Sequence, residues 1–362
     1  MLSQPAKLEP LAFEDIEGFD EDDLHSAFSA FRASARLMLQ TSFSTKCLGA
    51  DGKRLKALGE SALGLGEVET GRARQFFEEN FQPHRIVSQE TGFLTGYFEP
   101  EVDAARAPDE RYRYPLYERP DDLIDLRDHN RPAHIDASYR FGKQATDGIG
   151  FFFDRRAIDA GALNGRSLEI AWLADRVDQF FIHVQGSSRL RFADGTGTRL
   201  TYAAKTGHPY TSLGKILCER LDVSPEEMTA DRLAIWMREH PEKLDELLAN
   251  NRSYIFFREV EEQQDDEGPI GAAGCPLVPG RSLAVDRTLH TFGTPVWVAT
   301  RQPFVNSAES LRRLMVAHDT GSAITGSARG DIFVGSGAEA GLVAGKIRHE
   351  MEMITLLPRE KS

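Results

Sequence analysis

Apolar side chains recur at helical spacing near the start of the chain: Leu24, Ala27, Phe28, Phe31, Ala35 and Met38 fall on one face of residues 20–40. Acidic residues crowd the first turn of that segment, where the helix dipole favours them. A second helix is expected over residues 69–81, with Phe76, Phe77 and Phe81 as core contacts and Pro83 just beyond its end. From residue 93 the period changes to alternation, and residues 93–105 read as a strand interrupted at Pro100, followed by the Ala107-Pro108-Asp109 break. Residues 154–163 read as a short helix ended by Asn164-Gly165. Residues 167–205 read as a succession of strands with Ala193-Asp194-Gly195 as a hairpin turn, and His183 is expected to pack within a strand over 180–185. Helical patterns follow over 211–221 and 230–250, the latter restarting at Pro241, before a strand at 253–259 and a polar loop over 260–274. Strand-like runs then precede Asp286 and Asp319, and another, Ile332, Phe333 and Val334, follows Asp331.

The 362 residues suffice for two domains, and 41% hydrophobic with 27% charged residues is the balance of an ordinary folded protein. A net charge of −13 without a basic stripe argues against a nucleic-acid partner. No apolar run approaches the ~18 residues of a membrane span. The acidic start lacks the basic, apolar, small-residue order of a secretory signal, so either a signal has been removed or the chain is not exported by that route. Cys47, Cys218 and Cys275 make neither a disulfide framework nor a metal-ligand spacing, and no metal or other cofactor is expected.

The chemistry-bearing stretch is residues 311–341. Asp319 ends one apolar run and Asp331 opens another, and the connection between them holds Thr320, Gly321, Ser322, Ala323, Gly326, Ser327 and Gly330, which leave room for a polymer to approach the backbone. Asp286 repeats the pattern after residues 281–285. Taken singly, each aspartate also reads as a turn residue. Ser187 and Ser188 near His183 and His208 lack a nucleophile elbow, 207–215 fails the phosphate-loop spacing, and His318 is expected to face away from Asp319.

Three aspartates so placed resemble the 3D domain of the membrane-bound lytic transglycosylase A (MltA) family. The resemblance extends through residues 95–101 (TGYFEPE), 180–195 (FFIHVQGSSRLRFADG), 202–217 (YAAKTGHPYTSLGKIL) and 278–286 (VPGRSLAVD). It implies a mainly β fold with flanking helices: a double-psi β-barrel domain from residues 1–101 and 251–362, a smaller β-barrel domain inserted at 102–250, and a groove between them. It further implies a periplasmic, monomeric enzyme of peptidoglycan glycan strands, with outer-membrane association through a lipid anchor not visible in this chain. The implied reaction cleaves the bond between N-acetylmuramic acid and N-acetylglucosamine and closes a 1,6-anhydro ring. Asp319 maps to the single acid/base. Asp331 and Asp286 either raise its proton affinity or fix loops. Tyr97, Gln185, Gly186, Gly321 and Ser322 are the expected glycan contacts, with Gln185-Gly186 at a strand end and Phe98 more in the core than Tyr97. Two alternatives stay open: a two-carboxylate glycosidase using Glu99, Glu101 or Asp331 as base or nucleophile, and an expansin-like wall-binding module without turnover.

Overall fold

The computed structural model describes residues 6–225, 227–260, 268–305 and 307–360. The chain divides into two compact units, Met1–Phe98 with Asp266–Ser362, and Glu99–Asp265. Part of the polar loop expected at 260–274, residues 261–267, lies outside the described residues.

In the first unit, six of the described strands close into a ring. Arg348–Pro358 pairs with Pro295–Pro303, and the order continues through Ser310–Asp319, Ser282–Val285, Arg329–Ser336 and Gly92–Glu99, which returns to Arg348–Pro358. Closure leaves the ring no open edge. Phe81–Val87 and Lys7–Pro10 extend the sheet outward from Arg348–Pro358. Alternate residues of the ring strands, among them Leu94, Leu283, Val285, Met315, Ile332 and Met353, form one buried cluster. Trp297, Leu314 and Val316 form another with three helices, Leu24–Met38, Gly52–Leu65 and Thr70–Asn80. Phe28, Phe31, Phe76, Phe77 and Phe81 meet there, mostly edge to face. Asp23 and Asp51 cap the first two helices by accepting backbone N–H bonds. The Gly52–Leu65 helix has no counterpart in the sequence expectations, because three of its fourteen residues are glycine and its buried face is only Leu55, Leu58 and Ala62 beside Gly52 and Gly59.

Arg281 locks the helical segment to the ring. Its guanidinium makes a bidentate pair with Asp22 at 2.7 and 2.9 Å and also donates to the carbonyls of Asp23 and Leu314. Both side chains are buried, so every donor and acceptor must be matched.

The second unit holds a six-stranded sheet in the order Ile255–Val260, Gly197–Lys205, Ser187–Phe192, Glu101–Ala105, Glu169–Leu173, Tyr114–Tyr117. A bridge between Glu118 and Phe257 brings its two outer strands together. The expected boundaries at 101 and 250 therefore shift. Pro100 ends one strand and Glu101 already pairs alongside Arg189, while Ile255–Val260 pairs with Gly197–Lys205 inside this unit rather than with the ring.

Residues 176–185 are a helix, Arg176–Gln185, and not a strand. Asp175 caps it through Val177 N–H, and Gly186 ends it in the left-handed region at φ 80°. Val177 and Phe180 pack with the helices Leu213–Leu221, Ala230–Glu239 and Pro241–Ala249, whereas Ile182 joins the sheet core. A short helix buried on two sides has an almost continuous apolar run, which is why periodicity misleads here.

Candidate active site

The site is built around Ala284. In the Ser282–Val285 strand, Ala284 pairs on one side with Asp319 and on the other with Asp331, so the two aspartates flank one small residue across three adjacent strands. Their backbones are two strand spacings apart, roughly 10 Å. The register slips between Leu283–Ala317 and Ala284–Asp319, placing His318 in a bulge. That extra residue re-aims the aspartate that follows it. His318 itself is buried, with Nδ1 2.8 Å from Ser282 Oγ, and burial pushes its pKa down to about 3, so it stays neutral and outside the chemistry.

Thr95 and Tyr97, two apart on the Gly92–Glu99 strand, present one donor to each carboxylate. Thr95 Oγ1 donates to Asp331 Oδ1 at 2.5 Å, and Tyr97 Oη donates to Asp319 Oδ2 at 2.8 Å. Gly96 between them faces the other way. A Cβ there would lie 2.6 Å from Ile347 and 3.1 Å from the backbone of Ala344, at the end of the Gly337–Ala344 helix, so only glycine lets the strand seat while its neighbours reach the carboxylates. Tyr97 is 9% exposed and its ring packs on Phe333, in a small cluster with Ala284, Leu277 and Ile324. It therefore donates to Asp319 from a buried position, rather than standing open as the glycan contact expected. Phe98, expected to be the more buried of the two, is half-buried instead.

A second segment caps Asp319 from the loop before the Ser282–Val285 strand. Ala272 N–H donates to Asp319 Oδ1 at 2.9 Å, and Ala273 N–H donates to the His318 carbonyl at 2.9 Å. Gly271 allows this approach, since a Cβ would lie 2.8 Å from that carbonyl. Asp319 is raised above its ordinary 3.8 by burial, against which the Ala272 and Thr320 N–H groups and the Tyr97 hydroxyl all favour the ionised form. Asp331 is pushed up to about 6, first by burial and further by the negative charge of Asp319, with Arg329 and the Thr95 hydroxyl pulling the other way. Burial and the Asp319 charge hold the Tyr97 phenol well above 10, so it remains a donor.

Asp286 belongs to the loop and not to the carboxylate pair. Its oxygens accept from Thr288 N–H and Oγ1, at 2.9 and 2.6 Å, and from Gly326 N–H at 2.9 Å. His290 Nε2 lies 2.9 Å from the Ser327 carbonyl, adding a second tie to the connection that carries Gly321 and Ser322. These last two are exposed. Gln185 and Gly186 lie in the second unit, at the end of the Arg176–Gln185 helix, which accounts for the glycine by backbone conformation alone. Glu99 is fully buried and lies 2.9 Å from Arg199 and 3.2 Å from Arg189, a carboxylate committed to ion pairing. Glu101 is exposed, 3.8 Å from Arg191. Sequence reasoning passed over Thr95, Arg329 and Ala272. Only Thr95 carried a signal, the period-two match to Tyr97.

The family descriptions of known proteins match in two places, the MltA specific insert domain over residues 93–258 and the 3D domain over 281–357. The crystal structure of a membrane-bound lytic murein transglycosylase from Agrobacterium tumefaciens superposes with a TM-score of 0.91 at 45% identity, covering 98% of each chain. The membrane-bound lytic murein transglycosylase A of Escherichia coli K12 is 31% identical over 289 residues, 78% of this chain and 70% of that protein. That of Vibrio cholerae is 32% identical over 264 residues, and the match spans 71% of this chain and 62% of that relative's length.

Proposed function

This chain belongs to the MltA family, and from that premise we propose that it is a peptidoglycan lytic transglycosylase whose proton carrier is Asp331 and whose charge partner is Asp319. This reverses the roles expected from the motif. The observation that carries it is the unequal treatment of two carboxylates flanking Ala284. Asp319 accepts three donors, which suit an anion, whereas Asp331 accepts one hydroxyl and is pushed up to about 6 chiefly by burial, with the Arg329 and Asp319 charges acting on it in opposite senses. Paired carboxyl groups in unlike settings divide the work of acid and stabiliser.

In the reaction, the Asp331 carboxyl donates its proton to the oxygen joining N-acetylmuramic acid to N-acetylglucosamine. The C1–O bond breaks, its electron pair stays with the departing oxygen, and the positive character on C1 is offset by the Asp319 charge. The 6-hydroxyl of the muramic acid then attacks C1 and gives its proton to Asp331, which is restored without water being consumed. Gly321, Ser322, Gln185 and Gly186 remain the proposed glycan contacts, the enzyme is proposed to act in the periplasm, and the product is a 1,6-anhydromuramic end.

The hydrolase alternative needs a free base, and Glu99 is already engaged by two guanidinium groups, Arg199 at 2.9 Å and Arg189 at 3.2 Å. The non-catalytic module finds no support in a buried acid with raised proton affinity. The test is turnover of purified sacculi by two variants. Asp331→Asn is expected to lose about 10²–10⁴-fold in rate, the usual range for a general acid. Asp319→Asn should retain more activity and lose it at lower pH than the parent, because the charge that raises Asp331 is gone. Parental rates for Asp331→Asn with a dead Asp319→Asn would restore the opposite assignment.

A further inference from the structure

Resting on the assignment of Asp331 as proton carrier, we propose that Arg329 and Thr95 are positioning residues that fix which oxygen of Asp331 carries the proton. Arg329 Nη2 donates to Thr95 Oγ1 at 2.6 Å, and the same hydroxyl donates to Asp331 Oδ1 at 2.5 Å. A threonine hydroxyl has one proton to give. With the guanidinium N–H filling one of its lone-pair directions, that proton is directed at Asp331. An oxygen already accepting a hydrogen bond is the poorer site for the acid proton, so Oδ2 carries it.

The guanidinium is itself held. Its Nη1 donates to the carbonyls of Gly330 and, at 3.4 Å, Phe93, and its carbon sits 5.7 Å from the Phe93 ring centroid. Arg329 thus joins the Gly92–Glu99 strand to its own, Arg329–Ser336, beside the acid. The other titratable groups around Asp331 are Asp319, on the Ser310–Asp319 strand, and Tyr97, on Gly92–Glu99. Asp286, at the end of Ser282–Val285, is committed to Thr288 and Gly326, and the buried Cys275 thiol is pushed up to about 12. None of these supplies a cation, so Arg329 is the positive charge among the described residues that acts on the acid.

Both the Thr95 hydrogen bond and the Arg329 charge favour ionised Asp331. Removing either raises its pKa, so activity that needs the protonated acid should persist to higher pH. Thr95→Val keeps the shape and removes the hydroxyl. It is expected to lower kcat about tenfold or more, leave KM within about twofold, and move the alkaline fall of kcat up by about one pH unit, since one charge-assisted hydrogen bond is of that size. Thr95→Ser should restore both. Arg329→Met should shift the profile the same way, and Arg329→Lys, which keeps charge but not the fork, should shift it less while still lowering kcat. An activity-independent readout is the infrared carbonyl band of the protonated carboxyl, identified by its loss in Asp331→Asn and titrated in the parent and in Thr95→Val. A loss of kcat with an unmoved profile and an unmoved carboxyl titration, or no loss at all, overturns the proposal. If Asp331→Asn itself retains turnover, the assignment of the acid fails instead, and the two failures are thereby distinct.

Discussion

Replacing Asp331 with asparagine should make the protein more stable while removing its activity. A carboxyl that titrates at about 6 when folded and at 3.8 when free holds its proton more tightly in the native state. Its contribution is fully present below pH 3.8 and is lost as the pH rises through 6, where the folded state must bear a buried charge. Each pH unit of difference is worth about 1.4 kcal/mol, so the native state forfeits up to about 3 kcal/mol by pH 7.5. Asparagine carries no charge to bury and still offers Thr95 an oxygen. The first unit is of a size for which 1 kcal/mol moves Tm by about 2–4 °C, so Asp331→Asn should melt roughly 6–12 °C above the parent at pH 7.5 and together with it at pH 3.5. Scanning calorimetry of both proteins from pH 3.5 to 7.5 reads this directly. A variant that melts below the parent at pH 7.5, or whose advantage is the same at both ends of the range, would refute the placement of the acid in a desolvated, like-charged setting.

Three further outcomes follow from the packing. Asp22→Ala strands the buried Arg281 guanidinium and should cost about 3–5 kcal/mol in urea unfolding, with the carboxyl titration of any folded fraction unchanged. Gly96→Val drives a branched side chain into Ile347 and Ala344; it should lower both Tm and kcat, since it displaces Thr95 and Tyr97 together. Gln185→Ala should weaken cleavage of glycan strands with a stability change under about 0.5 kcal/mol, and a large drop in Tm at unaltered specific activity would assign Gln185 to the fold alone.

Periodicity located the elements that carry the site, because strands with one buried face alternate and the aspartates sit at their ends. It could not separate Asp319 from Asp331. That difference comes from a bulge at His318 and from N–H donors on a loop more than forty residues earlier, neither of which leaves a local trace. Tyr97 read as a glycan contact because an aromatic on an alternating strand has two faces to choose from, and the packing of its ring on Phe333 decides. The Arg176–Gln185 helix was hidden by burial on both sides, and the domain boundary by a strand, Ile255–Val260, whose composition does not say which sheet it joins. The turn chemistry of aspartate left Asp286 open between a field on the acid and a tie to the loop, and its bonds run to Thr288 and Gly326 in the loop.

The most direct measurement is the chemical identity of the products released from purified sacculi by the parent protein. Mass spectrometry is expected to find muropeptides one water lighter than their hydrolytic counterparts and without a reducing end, in step with bonds broken. Reducing ends in stoichiometric amount would mean that water, not the 6-hydroxyl, captures C1, and would contradict the single-acid cycle through Asp331.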